Sequence, residues 1–484
     1  MNTPEKSGII STIIRRLKKI FIKTAEERRD DILGGPIIKT ILVLALPVMV
    51  SSSLHISFNI VDTFWLGRLG AAEVGAPTAA WPILFVFLAT GMGLATAGVA
   101  LVAQHMGAGN RDLANEAAGQ VFAFLIILSL IFTIVGYIGA PYVLRWMQTP
   151  PDIYPLAVSY LRIVLLSMPF IFSYTGFRFL LKGMGDMVTP MLIKVVFVSV
   201  NVVLDPLLIF GWWIFPELGV SGAAIATSIS RVTAGLVGIY LLFNNRVDIR
   251  LTLKSLKLKW RWVKQIVTIG APATFARAMT AFAFVILFSL VAIFGETPVA
   301  AYGIGRRVIH VITIAIWGFA DASMSMVGQN VGAENKKRAE VIIKKAILVS
   351  SVIMFSTGAI VILFRTGIMN FFINEAPVIT EGSRYLAIYS MSIGFFGIFR
   401  ILDSSYRGTG HTLPAMGLEV FRIWGLRLFL SALLALPSLP LINFGFDLGV
   451  VGVWIGMALS NPIGALASYL YFLTGKWKRK TIRR

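Results

Sequence analysis

Apolar stretches of about twenty residues or more recur from one end of the 484-residue chain to the other, and each is long enough to cross the roughly 30 Å hydrocarbon core of a bilayer. That recurrence constrains the fold more than any motif does. In hydrocarbon every backbone N–H and C=O must find a partner inside the protein, which leaves helices and closed barrels. A barrel would show segments of about ten residues alternating in polarity, and the sequence has none. The expected fold class is therefore an all-α polytopic membrane protein. Twelve spans are read, at roughly 38–66, 74–104, 117–140, 155–182, 188–214, 219–244, 263–294, 298–331, 342–366, 382–406, 414–438 and 449–474.

The basic residues orient these spans. Of the 44 Lys and Arg, 30 fall in segments on the side of the two termini and 4 in the opposite loops. Cytoplasmic loops carry such an excess, so both termini are expected in the cytoplasm, with the chain multi-pass in the plasma membrane. The opposite loops collect acids instead: Glu217, Glu296, Glu375, Glu381 and Asp447. The net charge of +21 then reads as topology and attraction to anionic inner-leaflet lipids, and no nucleic-acid partner is expected. Within the N-terminal tail Ile9, Ile10, Ile13, Ile14, Leu17 and Phe21 share one helical face, ringed by Arg15, Arg16, Lys18, Lys19 and Lys23. That pattern reads as an amphipathic helix lying on the inner leaflet. The chain has no Cys, which excludes disulfides and thiolate chemistry.

The sequence repeats itself. VAQHMGAGNRDLA (102–114) returns as VGQNVGAENKKRA (327–339), an offset of 225 that also pairs Pro47 with Pro272, Gly93 with Gly318 and Gly183 with Gly408. Several matches in order at one offset mark an internal duplication. Each copy holds six spans, an even number, so both enter the membrane in the same sense. The architecture expected is two parallel six-helix repeats, related by a pseudo-twofold along the membrane normal, around a V-shaped central cleft. The boundaries follow: a basic tail (1–34), a first lobe (35–244), a basic linker (245–262), a second lobe (263–475) and a basic C-terminal tail (476–484).

Ionisable residues inside a membrane are costly and are candidates for function. The first lobe carries His55, Asp62, Arg178, Lys194, Asp205 and Arg231 within its spans. At about 1.5 Å per residue, Asp62 and Asp205 fall in the outer half of the bilayer. Asn201 precedes Asp205 by one turn, on the same helix face, and Thr227 of the sixth span lies at similar depth. The repeat supplies an internal control: Asp62 maps to Leu287, and Asp205 maps near LSALLA (430–435), which holds no acid. The scaffold does not need these acids. Two adjacent buried carboxylates resist double ionisation and titrate as a unit. Such a pair can take up a proton on one side of the membrane and lose it on the other, or hold a cation when ionised. An ion pair with Arg178 or Lys194 is the structural rival. Pro47 removes a helix hydrogen bond from the first span and would let it bend as Asp62 changes charge. His55, two turns inward of Asp62, is a candidate relay.

The second lobe differs. Arg277, Arg306, Arg307, His310, Asp321, Arg400, Asp403, Glu419, Arg422 and Arg427 read mainly as helix-to-helix pairs or groups near the inner mouth. The four His show no metal-ligand spacing. No nucleophile–base set is found, so no enzyme is expected, and no cofactor beyond H+ or Na+.

With these pieces in place the chain resembles the multidrug and toxic compound extrusion (MATE) transporters over about residues 33–475. The likeness rests on LALPVMV, NIVDTFWLGRLG (59–70), AQHMGAGN (103–110), KGMGDMVTP (182–190), NVVLDPLLIFG (201–211), LGVSGAAIATSIS (218–230), VGQNVGAEN (327–335) and RGTGHTLP (407–414). It looks most like the archaeal and DNA-damage-inducible-type branch. The resemblance implies a first-lobe cation site at Asp62, Asn201, Asp205 and Thr227, a cavity tyrosine at Tyr160, a bending proline at Pro47 and a possible Na+ site on the same four residues. Where that branch has a tyrosine one turn before the Asp, this chain has Phe58, so one hydrogen bond to Asp205 is missing. The second-lobe acid of a related branch falls near Phe396, so that site is absent. The implied activity is cation-coupled export, by protons in preference to sodium. Amphiphilic compounds, organic cations foremost, are the expected load, and a monomer is the expected state because both halves lie in one chain. The alternative is a lipid or lipid-linked oligosaccharide flippase of the same superfamily, for which Arg277, Arg306, Arg307 and Arg400 would line a basic cavity.

Overall fold

The computed structural model describes residues 24–438 and 444–479, and all regular structure among them is helical. The amphipathic stretch 9–23 lies outside the described residues. From Thr24 onward the expected N-terminal tail is instead a docked helix, α1 (Ala25–Leu33). Thr24 and Glu27 form a reciprocal capping box: each side chain accepts the other's backbone N–H, which satisfies two amides that the first turn leaves free.

The first lobe follows as α2 (Ile37–Gly67), α3 (Ala71–Gly107), α4 (Arg111–Trp146), a crossing split into α5 (Tyr154–Leu166) and α6 (Met168–Met184), then α7 (Val188–Ile209) and α8 (Gly219–Phe243). The second comprises α9 (Trp260–Ala292), α10 (Glu296–Gly332), α11 (Lys336–Phe372), the split pair α12 (Ala376–Ser390) and α13 (Ile393–Gly408), α14 (Thr412–Val420), α15 (Phe429–Ala435) and α16 (Gly449–Leu473). Nine of these helices are long and apolar enough to cross a membrane singly, and the two split pairs raise the number to eleven. The stretch read from the sequence as a span at 414–438 is α14 and α15 joined by a π-helical stretch, Phe421–Leu428.

Two crossings read as single helices, 155–182 and 382–406, are in fact bent, by 52° and 49°. The breaks are repeat-related. Ser167 turns its hydroxyl back onto the Val164 carbonyl (2.7 Å), and Ser392, at the same offset of 225, does so onto Tyr389 (2.8 Å). A serine that bonds its own preceding turn competes with the helix ladder and bends it. In the first lobe Pro169, which has no N–H, adds to the break.

The pseudo-twofold is visible where the lobes touch. A Cβ on Gly107 would collide with the Gln329 carbonyl, and one on Gly332 with the Gln104 carbonyl. These are the same contact seen from each side. A Cβ on Gly328 would lie 2.9 Å from that of Ala103, its own repeat mate, so the axis passes between them. Gly93 meets Thr274, and Gly318 meets Ala45 and Met49. Backbones this close tolerate no side chain, as at small-residue crossings of membrane helices. All these contacts use the halves of α3 and α10 nearest the chain's termini. In the far halves Gly75 and Gly305 pack on Ile153 and Tyr385 of their own lobes. The closest backbone approaches between the lobes thus lie on the termini side, where they form a seal.

Further contacts hold the seal. Lys182 of α6 pairs with Asp321 of α10 at 2.6 Å, and Gln329 donates to the Gly183 carbonyl at 2.9 Å. Helix α1 straps both lobes: Arg29 donates to the Met106 and Gly107 carbonyls (3.0 and 3.2 Å), while Asn330 and Arg338 donate to Ile32 (3.1 and 3.2 Å). The linker between lobes is pinned by one buried side chain. Gln120 donates to the Ser255 and Lys257 carbonyls (2.8 and 2.6 Å) and accepts from the Lys259 amide (2.7 Å).

Candidate functional site

Helix α7 presents Asn201 and Asp205 one turn apart, both fully buried, with the Asn201 amide donating to Asp205 Oδ1 at 3.0 Å. Asp62 of α2 and Tyr160 of α5 are within electrostatic reach of Asp205 and of each other. Thr227 of α8 is buried, one turn before Arg231, and Arg231 acts on both Asp62 and Tyr160. The structure therefore gathers Asp62, Asn201, Asp205 and Tyr160, and adds Arg231. Sequence reasoning had counted Arg231 as an intramembrane charge but had not put it beside the acids. Its i+4 spacing from Thr227 was the available signal.

The polar atoms here are incompletely satisfied. Asp62 Oδ1, Asn201 Oδ1, Asp205 Oδ2 and Thr227 Oγ1 are buried and have no hydrogen-bond partner. Native buried polar atoms are nearly always partnered, by protein, water or an ion. Four buried oxygens with free lone pairs are the donor type that suits a proton, a water or a hard monovalent cation. Among the described residues neither Asp62 nor Asp205 lies in a salt bridge, so the rival pairing with Arg178 or Lys194 does not form.

Phe58 is buried with its ring 5.3 Å from that of Phe197, one turn before Asn201. It fills space but offers Asp205 no hydroxyl. His55 does not join the acids. It is exposed, and its Nδ1 lies 3.4 Å from the Lys194 ammonium, so the relay placement expected for it is not what the fold provides. Pro47 lies inside the unbroken helix α2, midway between Ala45 and Met49, the two residues that meet Gly318 of the other lobe.

The second-lobe charges are mostly partnered within that lobe. Asp403 takes Arg400 and Arg407, each at 2.9 Å, and Glu419 takes Arg422 at 3.1 Å. Arg422 and Arg427 both reach Asn461 on α16 (3.2 and 2.9 Å) from the π-helical stretch. The wider turn of a π segment lets two arginines five residues apart share one acceptor. Phe396 lies under the Arg422 guanidinium at 5.2 Å, so a cation already stacks where a related branch carries its acid.

Two parallel lobes in close contact on the termini side, one of which alone carries the unpaired buried carboxylates Asp62 and Asp205, have the build of a membrane transporter. The MatE family model matches residues 47–207 and again residues 272–433, and the chain belongs to that family. The double match follows the internal duplication. One relative is named "Probable multidrug resistance protein YpnP", from Bacillus subtilis; it is 27% identical over 452 residues, covering 93% of this chain and 97% of its own. Another, named as an FAD transporter, from Shewanella oneidensis, is 24% identical over 447 residues, covering 91% and 95%. Among solved structures, an outward-facing multidrug resistance MATE family transporter superposes with a TM-score of 0.83 at 24% identity, covering 93% of this chain and 99% of that one.

Proposed function

We propose that this protein is a secondary active multidrug exporter of the plasma membrane, acting as a monomer with both termini in the cytoplasm. It couples the entry of protons at Asp62 and Asp205 to the ejection of amphiphilic organic compounds by alternating access. The observation that carries this reading is the set of unpartnered buried oxygens around two carboxylates found in only one of two duplicated lobes. A multidrug resistance relative that matches nearly end to end supports the export of drug-like compounds.

The chain's own residues suggest the steps. With both carboxylates ionised, Asn201 holds Asp205 and Arg231 balances Asp62. A proton arriving from the side opposite the termini removes one negative charge and loosens that balance. Helix α2, weakened at Pro47, then bends, and the bend moves Ala45 and Met49 against Gly318. A change at the acid site thereby reaches the seal between lobes. A sodium ion on the same oxygens would act in the same way, and it is the second reading.

The test is transport of a fluorescent amphiphile by purified protein in liposomes, under a pH gradient without sodium and then a sodium gradient without ΔpH. The expected result is movement under ΔpH alone, abolished by Asp62→Asn and by Asp205→Asn. Movement under sodium alone would keep the site and change the ion. Transport that survives both substitutions would remove the acids from the mechanism.

A further inference from the structure

A second set of intramembrane charges is left unexplained by the acid site. Arg178 of α6 and Lys194 of α7 act on each other, and both act on His55 of α2. Arg178 is also within electrostatic reach of Arg277 of α9, on which Arg407, Arg400 and Asp403 of the second lobe act more strongly, and His55 is within reach of His310 of α10. The group therefore spans both lobes. Among the described residues none of Arg178, Lys194 and Arg277 has a carboxylate within salt-bridge distance. The nearby acids are already engaged: Asp321 by Lys182, and Asp403 by Arg400 and Arg407. Arg178 Nε and Arg277 Nε are buried without a hydrogen-bond partner.

Aromatic faces offset part of the charge. Lys194 sits 4.5 Å from the Phe197 ring and Arg178 5.2 Å from that of Phe179. Stacking leaves the guanidinium N–H donors free, because it uses the face of the group and not its edge. The duplication again serves as a control. Arg178 stands where the second lobe has Asp403, so the scaffold does not require a base there. Unpaired arginines cannot shed their charge as a lysine or histidine can, and inside a membrane such groups mark a ligand path.

We propose that this group is the seat for the acidic head of an anionic amphiphile, a carboxylate or phosphate carried on an apolar body. The assignment names the substrate class of the transport cleft and so rests on the exporter reading. It differs from the organic cations expected from the sequence analysis. Arg178 and Arg277 would grip the head from opposite lobes, with Lys194 and His55 beside it. Without an anion the like charges of the two lobes repel across the cleft and keep it open. An anion between them removes the repulsion and draws the lobes together, so loading and occlusion become one event.

The test uses two probes with the same dansyl-alkyl body, one ending in a carboxylate and the other in a trimethylammonium. Binding to the full-length protein in phosphatidylcholine nanodiscs is read by dansyl fluorescence, and transport is read in liposomes. The expected result is at least tenfold tighter binding of the carboxylate, weakened tenfold or more by Arg178→Gln and Arg277→Gln. The variants Arg178→Lys and Arg277→Lys keep the charge and should retain most of the affinity, which guards against misfolding. Raising salt should weaken the carboxylate probe only. Adding an anionic phospholipid to the nanodiscs separates the two sources of such a head. Displacement of the probe by that lipid, but not by a soluble alkyl phosphate, makes the ligand a lipid; the reverse makes it a soluble acid. Preference for the trimethylammonium probe, or carboxylate binding indifferent to both Gln variants, overturns the proposal. Asp205→Asn serves as the separate arm. If it leaves transport intact while the Gln variants abolish carboxylate binding, the coupling reading fails and the seat stands.

Discussion

The seal between the lobes makes a quantitative prediction at Gly107. In a helix, Gly→Ala gains up to about 1 kcal/mol of propensity, and that gain applies whichever way the cleft faces. The clash does not. The added methyl would overlap the Gln329 carbonyl of the other lobe only while the termini side is closed. Overpacking of this kind costs about 1–3 kcal/mol, and here it penalises one conformer alone. A coupling of that size shifts a conformational equilibrium about 5- to 150-fold. Gly332→Ala should act equally, because it meets Gln104 in the symmetric contact. The double variant should fall short of the sum, since both methyls push the same two surfaces apart.

The chain's lack of Cys makes the assay direct. Ser325 is fully buried near Gly185 at the seal, so Ser325→Cys is a reporter that reacts with maleimide only when the termini side opens. Gly107→Ala should raise its labelling rate by a factor within the range above. Gly139→Ala and Gly367→Ala, where a Cβ meets open space, should leave it unchanged. A labelling rate for Gly107→Ala equal to that of the parent, in protein of unchanged melting temperature, would refute the claim that backbone contact here holds the closed state.

The same reporter checks the Lys182–Asp321 pair. Asp321→Asn leaves a buried ammonium without its counter-charge and should raise labelling, whereas Lys182→Asp with Asp321→Lys should restore protection. In the second lobe Asp403→Asn strands Arg407 and leaves Arg400 only its longer pair with Glu419, at 3.6 Å; it should lower stability by about 3–5 kcal/mol, as for other broken buried pairs, seen as an earlier thermal transition. Gln120→Leu deprives the linker of three hydrogen bonds and leaves backbone groups unpaired at about 1–3 kcal/mol each. Limited trypsin digestion should then cut at Lys254 and Lys257 faster than in the parent, and equal rates would count against the pinning role.

The crossings, the duplication and the acid pair were legible because each rests on a signal local in sequence: length of apolar run, a fixed offset, a charge among apolar neighbours. Two kinds of feature were not. The bends at Ser167 and Ser392 use residues common inside membrane helices, and only the fold reveals a hydroxyl turned back on its own ladder. The partners of His55, Arg231 and Arg178 come from other helices, so depth along one span could not choose between them. His55 lies two turns from Asp62 on the same face of α2 and meets Lys194 of α7, the helix that also carries Asp205, so the two groups stack at different depths of one interface and only the fold shows which level of α7 each one meets.

The duplication separates what the scaffold needs from what the chemistry adds. Contacts that recur at both offsets, Gly107 with Gln329 and Gly332 with Gln104, Gly93 with Thr274 and Gly318 with Met49, build the seal and the hinge surfaces. A symmetric seal opens symmetrically and by itself gives no preference for any ion or load. Preference must come from residues that break the symmetry, among them Asp62 and Asp205, Arg178 opposite Asp403, and Lys182 paired with Asp321 where the mirrored pair would be Arg407 and Thr96. They touch the symmetric frame at two places. Pro47 lies between the α2 residues that meet Gly318, and Lys182 lies beside Gly183, whose carbonyl receives Gln329. An acid site at one end of α2 and a basic seat near α6 would thus both act on the same closed interface. That shared interface is what a coupled exporter requires, since an ion and a load that never meet can be exchanged only through a conformational change both of them bias.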